Sequence, residues 1–283
     1  MSLRSVAAVA ACVVSLLVVG QVPTRADGLP EPEDENYNPV PSKPGVPAPG
    51  GADYTLTLPG ACEGLTLPGA AKAIVGNITT VNPLGAGFQY LTLFPADAER
   101  PLAASSNYLS GQSINAPFTV GLSASGGFKV YPTSQTELVI DVLGYYSPEA
   151  VDANGVGLLF NALSKPVRLL ETRAGFTGCD APGAPLLAGV PRTQAARGIC
   201  NGETIAADAL GLIGNATVVN PGSGFLTFWP GSAAQPTIAT SNFIAGQVFN
   251  RHFLTGLGGD GAFKIFSSAT TDLVIDVSGY FAP

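Results

Sequence analysis

Two long stretches of this chain are copies of one another, and that duplication constrains the fold more than any other feature. The segment VIDVLGYYSP at residues 139–148 returns as VIDVSGYFAP at residues 274–283. Residues 95–148 lie over 230–283 without a gap, and roughly 24 of about 54 positions are identical. Upstream, residues 62–82 lie over 200–220 with a register three residues different, so one short loop separates the two blocks. A unit that occurs twice folds twice, and chemistry carried by one copy alone is not what the unit is for.

The first residues stand outside the duplication. Arg4 precedes an apolar run from Val6 to Val19, and Thr24-Arg25-Ala26 sets small residues at the −3 and −1 positions of a cleavage site. This pattern predicts a secretory signal peptide over residues 1–26, shorter in its apolar part than the ~20 residues of a spanning helix. Val9-Ala-Ala-Cys12 imitates a lipoprotein cleavage box, but the apolar run continues beyond Cys12, so lipidation is not expected. No second apolar span follows. The expected product is exported, extracellular or held at a cell surface, with no membrane span once the leader is cleaved.

The formal charge is −7, and loss of Arg4 and Arg25 with the leader makes it more negative by two. Charged residues make up 12% of the chain, about half the usual ~25%. Such a composition argues against nucleic-acid binding and against a basic membrane-surface protein. Residues 27–51 carry seven prolines, an acidic cluster at Glu31, Glu33, Asp34 and Glu35, and few large apolar side chains. They are expected to form an extended, semi-rigid linker.

Beyond the linker the pattern is that of strands. FLTFW at 225–229 and YLTLF at 90–94 are rich in aromatic and β-favouring residues, and each ends at a proline. AFKIF at 262–266 alternates, and residues 210–219, 247–256 and 272–281 supply further strands between Gly, Pro, Asn and Ser clusters. Only residues 206–210 hint at a helical turn. The prediction is all-β: two tandem β-sandwich domains, Ig-like or jelly-roll-like. Repeat 1 spans 52–148 and is shortened at its N-terminus; repeat 2 spans 149–283 and is complete.

Repeat 2 has expected strands at 157–160 and 167–172 that repeat 1 lacks. A sandwich without a strand leaves an open edge. Tyr54 to Leu58 alternates well enough to be the local substitute; the alternative is a strand from a second molecule, giving head-to-tail self-association. Cys179 and Cys200 lie in one unit of an exported chain and are expected to pair, contributing about 3 kcal/mol in the chain-entropy model. Cys62 aligns with Cys200 but has no partner of its own in repeat 1. It is either a buried thiol or a point of intermolecular pairing.

RLLETR at 168–173, GNATVVN at 214–220, GFLTFWP at 224–230, SNFIAGQ at 241–247 and DLVIDVSGYF at 272–281 run in order through repeat 2. Together they resemble an uncharacterised bacterial secreted β-repeat family that reads R-L-L-D-T-R, G-[FY]-L-T-x-[FYW]-P, S-N-x-x-x-G-Q and V-x-D-V-x-G-Y-[FY]. The resemblance covers repeat 2 throughout and repeat 1 from about Cys62. Glu171 stands where the family has Asp, and repeat 1 lacks the first motif. That family occurs singly and in tandem in exported proteins, sometimes beside cell-wall hydrolase or protease domains. It implies an accessory or surface module and brings no catalytic residues.

Sites of chemistry are sparse. His252 is the only histidine, and Pro117 takes its place in repeat 1, so no triad and no His-bearing zinc site is expected. GLGGDG at 256–261 matches a dinucleotide fingerprint by letter, but a strand follows it rather than a helix, which predicts a hairpin turn. Asp141 and Asp276 each sit in an apolar strand, where a charge is costly if buried. They are expected to accept hydrogen bonds from backbone or from repeated polar residues such as Asn107/Asn242 or Asn115/Asn250. Arg168 and Arg173, five apart, are expected on opposite faces, one of them pairing with Glu171 or Asp276. Asn77-Ile-Thr79 and Asn215-Ala-Thr217 match the glycosylation sequon by pattern but fall in expected strands, and are read as chance matches with a strand role.

The aromatic pairs Tyr90/Phe225, Phe94/Trp229, Tyr108/Phe243 and Tyr145/Tyr280 suit core packing, or a sugar platform if they are exposed in a row. The candidate polar or ligand residues are therefore Asp141, Asp276, Arg168, Arg173, Asn107, Asn242 and Trp229, with no catalytic, cofactor or metal site. The expected function is that of a secreted, non-enzymatic structural or adhesive repeat protein, with a carbohydrate- or cell-wall-binding module as the alternative. Its expected partners are itself, by strand addition at repeat 1, or a surface polysaccharide.

Overall fold

The computed structural model describes residues 6–7, 12–14, 48, 50–58, 61–62, 65–147, 151–152, 155–179, 183–219 and 221–283. Among them there is no helix, and the regular structure is entirely strand. Residues 206–210 hold a turn, closed by the Ala209 N–H on the Ala206 carbonyl at 3.1 Å.

Each repeat is a sandwich of two antiparallel sheets. In repeat 1, Glu137–Tyr146, Ala73–Val81 and Ile114–Gly121 lie side by side, facing a sheet ordered Tyr54–Thr57, Gly127–Pro132, Phe88–Pro95 and Ser106–Leu109. In repeat 2 the corresponding sheets run Gly155–Glu171, Asp272–Ala282, Gly211–Val219, Phe249–Gly256, and Arg192–Ala195, Ala262–Ser267, Gly224–Pro230, Ser241–Phe243. Alternation decides which side chains meet in between. Ile74, Ile78, Phe118, Leu138 and Ile140 of one sheet close on Leu91, Phe128 and Val130 of the other. Leu170, Leu212, Phe253 and Ile275 do the same against Leu226, Phe228, Phe263 and Ile265.

Tyr54–Thr57 is a strand, but not the substitute for the missing one. It pairs with Gly127–Pro132 in the smaller sheet, the place that Arg192–Ala195 takes against Ala262–Ser267 in repeat 2. The reason is its distance along the chain from the bridge at Ala48, which pairs with Thr136 as Leu186 pairs with Thr271. Ala48 and Gly51, the latter bonded to the Pro132 carbonyl at 2.8 Å, thus already belong to repeat 1. The two strands expected at 157–160 and 167–172 are one long strand, Gly155–Glu171, irregular between Ala162 and Val167.

The edge of repeat 1 that Gly155–Glu171 would fill by analogy is met by the N-terminal residues. Cys12–Val14 pairs antiparallel with Glu137–Tyr146, Val13 opposite Asp141, and Val6–Ala7 lies between Tyr145–Tyr146 on one side and Gly157–Leu158 on the other. One sheet of ten strands therefore runs through both repeats. A small apolar cluster of Leu143, Leu158, Ile238, Leu254 and Phe281 joins the domains, and Asn115 Nδ2 donates across to the Ala239 carbonyl at 3.2 Å.

The Cys179–Cys200 disulfide forms, with the Cα atoms 5.4 Å apart. Ala61–Cys62 pairs with Leu65–Thr66 in a short hairpin; the Cys62 side chain lies outside the described residues.

Candidate functional site

Both repeats present the same five residues, Leu-Val-Ile-Asp-Val, along the strand that borders the missing or extra element: 138–142 and 273–277. In repeat 2 that border is occupied and its acid is ion-paired. Arg168 lies across the ladder from Asp276, and its Nε and Nη2 donate to the two carboxylate oxygens at 2.9 and 3.2 Å. Its Nη1 reaches Glu171 at 3.3 Å. Arg173 completes the group, with Nε and Nη2 on Glu171 at 2.9 and 2.7 Å. These hydrogen bonds hold the Arg168 guanidinium above its ordinary range and the Glu171 carboxyl below its own, the bond from Arg173 being the main cause for Glu171. The Glu171 side chain is wholly shielded from solvent.

Arg168 and Arg173 do not point to opposite faces, as strand parity predicts. The ladder shifts register between Arg168 and Leu170, and the strand ends at Glu171, so Arg173 sits in a bend and turns back.

Asp141 is the counterpart in repeat 1 without the arginine. It is 1% exposed, its Oδ1 has no hydrogen-bond partner among the described residues, and burial pushes its carboxyl from 3.8 up to about 7. Opposite it on one side stands Asn77, whose Nδ2 is also without a partner, and on the other Val13. Gly76 and Gly214 are fixed by the same geometry: a Cβ at either would collide with the carbonyl oxygen of Asp141 or Asp276.

The repeated asparagines serve elsewhere. Asn107 and Asn242 lie in the smaller sheets, opposite Tyr90 and Phe225. Asn115 donates to Thr79 Oγ1 at 2.9 Å and Asn250 to Thr217 Oγ1 at 2.7 Å. Neither pair reaches the aspartates, because each lies on a different strand from the acid's ladder partner.

The aromatic residues divide. Phe94 and Trp229 are core, Trp229 being 3% exposed with its indole N–H on the Ala233 carbonyl at 3.2 Å, which leaves it no face for a ligand. Tyr90 and Phe225 are 41% and 36% exposed. Each meets a ring of the neighbouring strand on the outer face: Tyr90–Tyr131 at 6.4 Å and Phe225–Phe266 at 5.7 Å between centroids. Phe88, 87% exposed, extends the first patch, and the Arg100 guanidinium stacks 3.8 Å above Tyr131 while bonding Asp53 at 3.3 Å. Beside the second patch lies a cleft of about 480 Å³ lined by Phe225, Thr227, Gln235, Pro236, Ile238 and Phe266. Tyr131 and Phe266 are absent from the aromatic pairs that the sequence singles out; their place at every second residue of an alternating strand is the signal that finds them.

His252 borders a cleft of about 190 Å³ between the domains, with Asn77, Phe118 and Leu254. Burial lowers its pKa. No cluster of His, Cys, Asp and Glu suited to a metal occurs among the described residues. GLGGDG is a hairpin turn, closed by the Gly261 N–H on the Gly258 carbonyl at 2.9 Å, with Gly261 at φ 72° and its counterpart Gly126 at φ 78°.

No protein-family model matches the chain. No curated protein matches it either. Among solved structures it is similar to the N-terminal CBM22-1–CBM22-2 tandem domain of Paenibacillus barcinonensis Xyn10C, at 8% identity over 82% of each chain, with a TM-score of 0.20. A likeness of that size carries no argument about function, and the two-sandwich architecture stands on the strand pairing of the chain itself.

Proposed function

We propose that the chain is an exported, non-enzymatic structural or adhesive module of a cell surface or extracellular matrix. The observation that carries this reading is the outer-face aromatic pair that recurs with the duplication, exposed Tyr90 beside half-buried Tyr131 in repeat 1 and exposed Phe225 beside half-buried Phe266 in repeat 2. A surface feature present in both copies belongs to the unit, whereas His252 belongs to one copy alone. Exposed rings flanked by polar groups are suited to stacking on a sugar face. Surface polysaccharide is accordingly the preferred ligand class within the adhesive reading. A second reading, self-association by strand addition, is favoured by one observation: residues 12–14, which cover the edge of Glu137–Tyr146, lie in the segment that reads as a cleavable leader.

Co-sedimentation of the exported chain with insoluble peptidoglycan and polysaccharides tests both. Pelleting with one glycan, lost in Tyr90→Ser combined with Phe225→Ser, is the expected result. Pelleting without glycan would favour strand addition, and a chain that stays soluble in every tube would overturn the adhesive reading.

A further inference from the structure

Export with cleavage of the leader, as proposed for this chain, would take residues 12–14 off the Glu137–Tyr146 edge, and the docking inferred here rests on that reading. The N–H and C=O groups of the edge, and the Asp141 carboxylate, then need a new partner. We infer that this edge is the docking site of the chain's own residues 40–47, which enter as an antiparallel strand with Lys43 opposite Asp141.

Register is the first support. Ala48 and Thr136 exchange both backbone hydrogen bonds, at 2.8 and 3.0 Å, and Ala48 is part of the repeat 1 core. Continuing that antiparallel ladder sets Val46 opposite Leu138, Pro44 opposite Ile140 and Lys43 opposite Asp141. Side-chain pattern is the second. Val46, Pro44, Ser42 and Val40 are in phase with Ala48 and so share the face of the core residues Leu138 and Ile140, while Pro47, Gly45, Lys43 and Pro41 take the other face.

The prolines agree with the same register. Pro39, Pro41 and Pro47 are out of phase with Ala48, so the N–H each lacks would point away from Glu137–Tyr146; only Pro44 forfeits a ladder donor. Charge completes the argument. Lys43 is the only cation between residues 27 and 51, and it falls opposite the acid of this edge as Arg168 falls opposite Asp276 in repeat 2.

A second copy fits less well. Each copy brings two Leu-Val-Ile-Asp-Val borders and one arginine-bearing strand, so exchange between copies only moves the vacancy. Direct pairing of two such edges about a two-fold axis passing at Asp141 would set the two acids against one another, a like-charge contact, and no register of that pairing brings a cation from the edge strand opposite them. Prolines on the outer side would also close the new edge to further strands.

The test is hydrogen exchange on the exported chain, after its intact mass has established that residues 1–26 are gone. The amides of Leu138 and Ile140 are expected to exchange at least ~100-fold more slowly than in an unstructured chain. Lys43→Glu and Val46→Pro are each expected to remove about tenfold or more of that protection, and Lys43→Arg to keep it. Equal protection in all four proteins would overturn the occupant, and unprotected amides in the unsubstituted chain would overturn docking in cis. A mass that still includes the leader would instead bring down the reading beneath the inference, and the inference with it.

Discussion

Asp141→Asn in the full-length chain, where residues 12–14 cover the edge, isolates the cost of an acid buried without its arginine. The carboxyl ionises near 3.8 when unfolded and about 7 when folded. A difference of that size corresponds to about 4 kcal/mol of folding stability. The sign follows from proton uptake: between these two values the folded state holds a proton that the unfolded state has released. The contribution of Asp141 to stability is therefore greatest below pH 3.8, falls as pH rises through this window, and levels off above about 7. Between pH 5 and pH 8 the drop from this group is about 2–3 kcal/mol. Urea unfolding at a series of pH values measures it, provided the m-value is unchanged. The asparagine variant is expected to lose this part of the slope, becoming more stable than the parent at pH 8 relative to pH 5. Parallel profiles for the two proteins would refute the reasoning, because they would mean that Asp141 is solvated or paired.

Other consequences are simpler. Replacing Cys179 and Cys200 with serine is expected to cost about 3 kcal/mol in the transition of repeat 2 alone, read by calorimetry as movement of one of two unfolding steps. Gly76→Ala and Gly214→Ala, which drive a methyl group into the carbonyls of Asp141 and Asp276, are each expected to cost about 3 kcal/mol. Urea midpoints like those of the parent would show that the strand shifts freely at these positions.

Much of the architecture is legible in the sequence. Duplication points to two β-sandwiches, alternation such as that of AFKIF at 262–266 marks strands, and one unit holding both Cys179 and Cys200 places the disulfide that forms. Local pattern does not say which edge a strand joins. Tyr54–Thr57 alternates well, yet only its distance from the Ala48–Thr136 bridge sends it to the smaller sheet. Parity fails at Arg173 because a register shift and a strand end intervene, neither of which leaves a mark in the letters RLLETR. The aspartates are noticeable as charges in apolar runs, but their different fates depend on a partner over 100 residues away in one repeat and on residues 12–14 in the other. The outer-face rings are half visible: Tyr90 and Phe225 recur, while the strand pairing that brings Tyr131 and Phe266 beside them is a tertiary fact.

The proposed role at a cell surface turns on the export of a chain that has shed its leader. The most direct measurement is the intact mass and N-terminal sequence of the protein recovered outside a cell expressing all 283 residues. A chain beginning at Asp27 is the expected result. A chain that still carries residues 6–14, or one found only inside the cell, would contradict it and make the N-terminal strands a permanent part of the ten-stranded sheet.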